Sequence, residues 1–155
     1  MKKELYSSTT IELLLKDMWP NLGRENMKKK IMIVDDEPDI RFTLEDDLED
    51  DYEIITLNDG LDCIEALEQG KMPDLILLDI MMPGMNGWET FYKIREHESW
   101  SQIPVIFLTA RTDNVAEDAG SFLGDDYIEK PYQIEDLKNR IQKAIEKKSQ
   151  GAMFP

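Results

Sequence analysis

Five side chains that could bind a cation or a phosphoryl group lie at the ends of short apolar segments. They are Asp35, Asp36, Asp79, Thr109 and Lys130. Three carboxylates brought close together would raise one another's pKa unless a cation intervened. Hard oxygen ligands suit Mg²⁺, which keeps several waters and is commonly shared with a phosphoryl group. The residue types therefore predict a magnesium site beside a site of phosphoryl chemistry, provided that the fold brings them together.

Asp79 is the candidate nucleophile of this set. Once a cation and Lys130 screen the repulsion between anions, a carboxylate can attack phosphorus and become an acyl phosphate. Thr109 offers a hydroxyl donor, and Lys130 offers a point charge to the phosphoryl oxygens. Each residue alone also has an ordinary structural interpretation, since an aspartate at a strand end often caps the following helix. The chemical interpretation depends on all five residues meeting at one place.

An alternation of strands and helices would bring these residues together. From residue 30 onward, short apolar runs alternate with stretches of helical period. The predicted strands are 30–34, 53–57, 74–78, 104–108 and 126–128. The predicted helices are 38–48, 61–69, 88–97, 115–123 and 134–147. Five such units with right-handed crossovers predict an α/β fold with a doubly wound parallel sheet, in which ligands bind beyond the carboxyl ends of the strands.

Composition excludes several other classes of protein. The 155 residues include 33 acids and 18 bases, giving a formal charge of −15, which disfavours contact with nucleic acid or anionic membranes. The apolar fraction of 41% is that of a globular domain, and the apolar runs are too short to span a membrane. The single cysteine, Cys63, cannot form an internal disulfide. We therefore expect a cytoplasmic protein that binds neither nucleic acid nor membrane.

Four segments resemble the signature stretches of the response-regulator receiver domain of two-component signalling. They read IMIVDDEPDIR, DLILLDIMMPGMNGWE, PVIFLTA and GDDYIEKPY. They occur in the family's order and spacing over about residues 29–147. The resemblance implies a flavodoxin-like strand order, 2-1-3-4-5, with helices on both faces of a five-stranded sheet.

The resemblance also assigns roles to individual residues. It implies that Asp79 is phosphorylated, and that Asp35, Asp36, Asp79 and the main-chain carbonyl of Met81 bind Mg²⁺. It gives catalytic roles to Asp79, Thr109 and Lys130. No other cofactor is implied.

A conformational switch is implied as well. Thr109 and Tyr127 match the hydroxyl and the aromatic ring that move together when the family's phosphoacceptor is phosphorylated. Tyr127 has an equally good interpretation as a tyrosine packed at the edge of the core. Lys130 usually precedes a cis-proline in this family, here Pro131. Asn86 stands where the family often has an aspartate.

The expected function is signalling by phosphorylation. A histidine kinase or a histidine phosphotransfer protein would give its phosphoryl group to Asp79, and the phosphorylated chain would bind an unknown downstream protein. We expect no conventional turnover enzyme, but a chain that catalyses its own magnesium-dependent phosphorylation and dephosphorylation. Since few residues follow the last predicted helix, we expect a stand-alone receiver, a monomer that could dimerise on phosphorylation.

Three alternatives remain open from the sequence. The chain could be a phosphorelay intermediate, or an adaptor with a receiver fold that works without phosphorylation. It could also be a hydrolase that forms an aspartyl phosphate. Such hydrolases need a second aspartate two residues after the nucleophile, and Met81 occupies that position here.

Residues 1–28 stand apart from the predicted receiver domain, 29–148, as does a tail of residues 149–155. Ile11, Leu14, Leu15 and Met18 have the spacing of one apolar side of a short helix. One interpretation is an amphipathic arm that packs on the domain or on a partner. Another is a disordered extension, or a segment that is not translated because synthesis starts at Met27.

Overall fold

The computed structural model describes residues 8–18, 27–110 and 126–151. A five-stranded parallel sheet with strand order β2-β1-β3-β4-β5 forms its centre. The strands are β1 (Lys30–Val34), β2 (Glu53–Leu57), β3 (Leu75–Asp79), β4 (Val105–Ala110) and β5 (Asp126–Lys130). The described helices are α1 (Ser8–Met18), α2 (Pro38–Leu48), α3 (Gly60–Glu68), α4 (Gly87–Glu96) and α5 (Ile134–Gly151). The predicted fold class and strand order are confirmed.

The sheet separates two hydrophobic cores because alternate side chains of a strand point to opposite faces. Both faces of β1 and β3 are buried, which explains their continuous apolar sequences. On one face, side chains such as Met32, Ile76 and Phe107 pack with Leu67 of α3 and Phe91 of α4. On the other face, residues of the same strands pack with α2 and α5. These are Ile31, Ile33, Leu75 and Leu77 from the sheet, with Leu44, Leu48, Leu137 and Ile141 from the helices.

Helix starts follow from local sequence. Pro38 occupies the first turn of α2, where its missing N–H is not needed. The Asp59 side chain caps α3 by accepting a hydrogen bond of 2.8 Å from the Asp62 N–H. Both helices therefore begin immediately beyond the carboxyl ends of β1 and β2.

Strand boundaries differ from the prediction mainly at the carboxyl ends, although β3 and β4 also begin one residue later than predicted. β3, β4 and β5 reach Asp79, Ala110 and Lys130, beyond the apolar residues that predicted them. The reason is pairing, since Asp79 lies opposite Leu108 and Ala110 lies opposite Lys130 in the parallel ladders. Asp79, Thr109 and Lys130 are thus the last or next-to-last residues of strands, whereas Asp35 and Asp36 begin the loop that follows β1.

Two other predicted elements have different outcomes. The last helix extends to Gly151, beyond the predicted end at residue 147. The predicted helix 115–123 lies outside the described residues. Within the described ranges, no helix has both the length and the apolar character needed to cross a membrane.

Candidate functional site

Three carboxylates meet at the carboxyl ends of β1 and β3. These strands are neighbours, with Val34 opposite Leu78, so the residues that follow are brought side by side. One carboxylate oxygen each from Asp35, Asp36 and Asp79 lies within 4.8 Å of the others. Asp35 and Asp79 are buried and Asp36 is partly exposed. The predicted acidic cluster therefore exists, and we call these three residues the acid cluster.

Lys130 reaches the acid cluster from the last residue of β5. Its Nζ lies 2.9 Å from Oδ2 of Asp35 and 3.8 Å from Oδ1 of Asp79. The peptide bond from Lys130 to Pro131 is cis, as the resemblance implies. One ammonium group thus contacts two of the three carboxylates, leaving an excess of negative charge.

Burial and like charge act together on Asp79. Its pKa is raised to about 7, first because burial disfavours the carboxylate and then because Asp35 lies nearby. Lys130 lowers this pKa, whereas Asp36 raises it further through a hydrogen bond and through its charge. A carboxylate under these conditions is stabilised by any additional positive charge that reaches it.

The donor set fits Mg²⁺. Three carboxylate oxygens within 4.8 Å of one another are hard ligands on one side of a site, and the partial exposure of Asp36 leaves access for water or a phosphoryl oxygen. Asp35, Asp36 and Asp79 would hold the ion. The main-chain carbonyl of Met81, two residues beyond Asp79, stays a predicted ligand.

Asp35 is fixed from three directions. Its N–H donates to the carbonyl of Leu57 on β2 at 3.2 Å, and its Oδ1 accepts from the Glu37 N–H at 2.9 Å. Arg41 of α2 donates to its main-chain carbonyl. Sequence reasoning missed Arg41, because an arginine one turn into a helix has no pattern that reveals which carbonyl it reaches.

The start of α4 packs directly against the backbone of Asp79 and Ile80. The Gly87 N–H donates to the Ile80 carbonyl at 2.9 Å. A Cβ at Gly87 would lie 2.3 Å from the Asp79 carbonyl oxygen and 2.7 Å from Cα of Ile80. Only glycine permits this approach, so Gly87 is a further residue of the site that sequence reasoning did not identify.

Asn86, the departure from the family's frequent aspartate, has a structural role. Its Oδ1 accepts from the Glu89 N–H at 3.0 Å, and the Glu89 carboxylate accepts from the Asn86 N–H at 3.1 Å. This reciprocal pair is a capping box that begins α4. The side chain of Met81, earlier in the same loop, is 62% exposed. The loop that follows Asp79 is thus fixed at Asn86 by the capping box and exposed to solvent at Met81.

The two predicted switch residues lie on the same face of the sheet. Thr109 is buried in β4, and its hydroxyl donates to the Ala110 carbonyl at 3.0 Å. Tyr127 lies opposite Phe107, two residues before Thr109, and is partly buried against the core that contains Phe107. This placement agrees with the packing interpretation of Tyr127, and the switch role stays a prediction.

Comparison with known proteins shows what this arrangement is similar to. The family model described as the response regulator receiver domain matches residues 31–142. The alkaline phosphatase synthesis transcriptional regulatory protein PhoP of Bacillus subtilis is 38% identical over 128 residues, covering 81% of this chain and 52% of that protein. Histidine kinase P4 of Formosa agariphila is 34% identical over 138 residues, covering 88% of this chain and 10% of that protein. The chain thus spans about half of one relative and a tenth of the other.

Solved structures give the same result for the fold. Chemotaxis protein CheY4 of Vibrio cholerae superposes with a TM-score of 0.68 at 28% identity, covering 76% of this chain and 98% of that one. Response regulator protein TrrA of Thermotoga maritima, solved in complex with Mg²⁺ and BeF, has a TM-score of 0.66 at 36% identity. That comparison covers 75% of this chain and 98% of the other.

Proposed function

Because this chain belongs to the response-regulator receiver family of two-component signalling, we propose that Asp79 accepts a phosphoryl group from a phosphohistidine. The donor is a histidine kinase or a histidine phosphotransfer protein. The observation that carries the proposal is the position of the Asp79 carboxylate, within the acid cluster and 3.8 Å from the Lys130 ammonium. No conventional turnover of a small substrate is proposed, because the chain itself is the acceptor.

The transfer is a single displacement at phosphorus. An oxygen of Asp79 forms the new P–O bond while the P–N bond to the donor imidazole breaks, and the bonding electron pair returns to the imidazole nitrogen. Lys130 moves from Asp35 toward the phosphoryl oxygens and stabilises their charge. When bound by the acid cluster, Mg²⁺ offsets the negative charge of the carboxylates and of the incoming phosphoryl group.

The signal is a change of binding surface. Phosphorylation replaces the Asp79 carboxylate with a phosphoryl group that carries nearly two negative charges and lies beside Lys130. The Thr109 hydroxyl can then exchange its bond to the Ala110 carbonyl for one to the phosphate, and Tyr127 occupies the space it leaves. The two states differ at the face formed near β5, which a downstream protein or a second copy recognises.

The partner that donates the phosphoryl group docks on α2. This helix starts three residues after Asp35, and its Phe42 is 72% exposed. An aromatic ring exposed beside an acidic site is a good anchor for a protein partner. Asp46, one turn further along the same face of α2, favours a partner with basic residues around an apolar pocket.

Phosphorylation of the pure protein tests this function. We expect incubation with phosphoramidate and Mg²⁺ to add one phosphoryl mass to the chain, measured by intact mass spectrometry. The adduct should disappear in Asp79→Asn and with EDTA, and persist in Asp50→Asn, which replaces an exposed aspartate at the end of α2. An adduct that survives Asp79→Asn would refute the site. The complete absence of an adduct on the unmodified chain would support the phosphorylation-independent adaptor instead.

A further inference from the structure

The amino-terminal helix exposes most of its apolar side chains. In α1, Ile11, Leu14, Leu15 and Met18 have 46%, 51%, 36% and 67% of their surface exposed. An isolated helix of 11 residues is only marginally stable in water. A surface against which these side chains can pack would therefore stabilise α1.

Helical geometry places those four residues on one side. At about 100° per residue, they fall within one stripe, and Leu13 falls on the opposite side. We call Ile11, Leu14, Leu15 and Met18 the α1 stripe. Two carboxylates, Glu12 and Asp17, lie at its two borders by the same geometry. The complementary surface should be an apolar groove bordered by cations.

A groove with this character lies at the amino end of the sheet. It has a volume of about 560 Å³ and is lined by apolar side chains of the edge strand and of the loop before β3, with charged groups around them. The lining includes Ile55 and Met72, with Lys30, Lys71 and Glu53 as its charged members; Ile54 also borders the groove, but its side chain packs on the other face of the sheet. Lys30 and Glu53 already form an ion pair, with Nζ and Oε1 3.9 Å apart. We call these residues the β2 groove. Among the described strands β2 pairs with β1 alone, so its outer edge is available.

We propose that the α1 stripe packs into the β2 groove of the same chain. In that arrangement Ile55 and Met72 bury the apolar side chains of the α1 stripe that are exposed in the structure. Lys71 meets the carboxylate of Glu12 or Asp17, and Lys30 exchanges its ion pair with Glu53 for the other carboxylate. The helix thereby covers the open edge of the sheet.

The path of the chain favours this occupant. Lys30 borders the groove, and the residue before it, Lys29, accepts a hydrogen bond of 2.9 Å from the Glu53 N–H. The chain that leads to α1 therefore departs directly beside the groove. From Met18 to Met27 it can span roughly 30 Å, which is enough to return the helix to this surface.

Tethering adds to this advantage. A segment joined by a short linker sees its binding surface at an effective concentration in the millimolar range. The same groove on a second copy is reached only at the concentration of free protein. The groove lies at the opposite end of the sheet from the acid cluster, so this inference does not depend on phosphorylation.

Cysteine cross-linking in the full chain tests the docked arrangement. Leu14→Cys is combined with Met72→Cys, and the matched control combines Leu13→Cys with Met72→Cys. Cys63 does not interfere, because it is buried and burial raises its pKa to about 12. We expect the Leu14 pair to form an intrachain disulfide at least about tenfold faster than the Leu13 pair.

Each outcome decides the proposal. Equal rates for the two pairs, or no disulfide in either, would overturn it. A disulfide between two chains would also overturn it, since the occupant would then be a second copy. Methyl NMR gives an independent test without cysteines: Leu14→Ser should shift the methyl signals of Ile55 and Met72, and Leu13→Ser should not. Unchanged signals in Leu14→Ser would contradict docking even if α1 itself unfolds.

Discussion

The ionisation of Asp79 is opposed by burial, by Asp35 and by Asp36, and is favoured by Lys130 alone among the groups that shift it. The ionised form of such a residue is unfavourable by itself. Binding of a cation stabilises this form, and formation of a bond to phosphorus removes its charge. The same electrostatics that raise its pKa therefore make the free protein sensitive to pH.

Asp79→Asn should stabilise the free protein at pH 8 but not at pH 4. The pKa of Asp79 is about 7 in the folded chain against 3.8 as a reference, so the folded state binds more protons between these values. Its stability therefore falls as the pH rises through this window. With EDTA present, we expect the variant to gain about 1–3 kcal/mol in unfolding free energy at pH 8.

Denaturant titrations at both pH values measure this gain. Asp50→Asn is the control for the loss of a negative charge from the surface. A gain in Asp79→Asn that is the same at pH 4 and pH 8 would show that the carboxylate is not under electrostatic strain.

At the level of elements, the contact between α4 and β3 sets the position of Asp79, the proposed phosphoacceptor. Because a Cβ at Gly87 would lie 2.3 Å from a main-chain oxygen, no side-chain rotation relieves the clash. The start of α4 or the end of β3 must move instead. A methyl group at this position should therefore affect both stability and chemistry.

Gly87→Ala should cost about 1–3 kcal/mol in unfolding free energy. It should also slow phosphorylation by phosphoramidate. Gly151→Ala is the matched control, because a Cβ there would meet nothing within 4 Å and alanine favours a helix. Thermal unfolding and phosphorylation rates measure the two effects. If both glycine variants match the original chain in unfolding free energy and phosphorylation rate, α4 does not pack against the Asp79 backbone as closely as the Cβ distance at Gly87 implies.

The elements were predictable where burial and periodicity agree. β1 and β2 have the predicted boundaries, because each is a short and mostly apolar run that ends where polar residues begin. The ends of β3, β4 and β5 were not predictable to the residue. Pairing with a neighbouring strand extends each of these strands past its apolar residues to include polar ones. The acid cluster followed from parallel topology alone. Gly87 and Arg41 could not be predicted, since their roles depend on distances between elements that are far apart in sequence.

On the scale of the whole molecule, the two candidate binding surfaces lie at opposite ends of the sheet. The acid cluster and the exposed Phe42 lie toward the carboxyl end of the sheet, and the β2 groove lies at the amino end. A partner that delivers a phosphoryl group thus meets a different surface from the one offered to α1.

Phe42→Ala should slow phosphotransfer from a histidine kinase by about tenfold, the effect of losing one aromatic anchor. Phosphorylation by phosphoramidate, which needs no docking, should be unchanged. Tyr92→Ala removes another exposed aromatic ring, on α4, and serves as the control. Rates are measured with the kinase that transfers fastest in a survey of the kinases of the source organism. Equal slowing by both donors would show that Phe42 acts on the site and not on the partner.

The contact between Lys130 and Asp35 joins residues 95 positions apart in the chain. During synthesis, Asp35, Asp36 and Asp79 leave the ribosome long before Lys130 does. A nascent chain that lacks β5 has the carboxylates without the ammonium group that offsets them. The proposed phosphorylation, which needs both, is thus withheld until the last strand has joined the sheet.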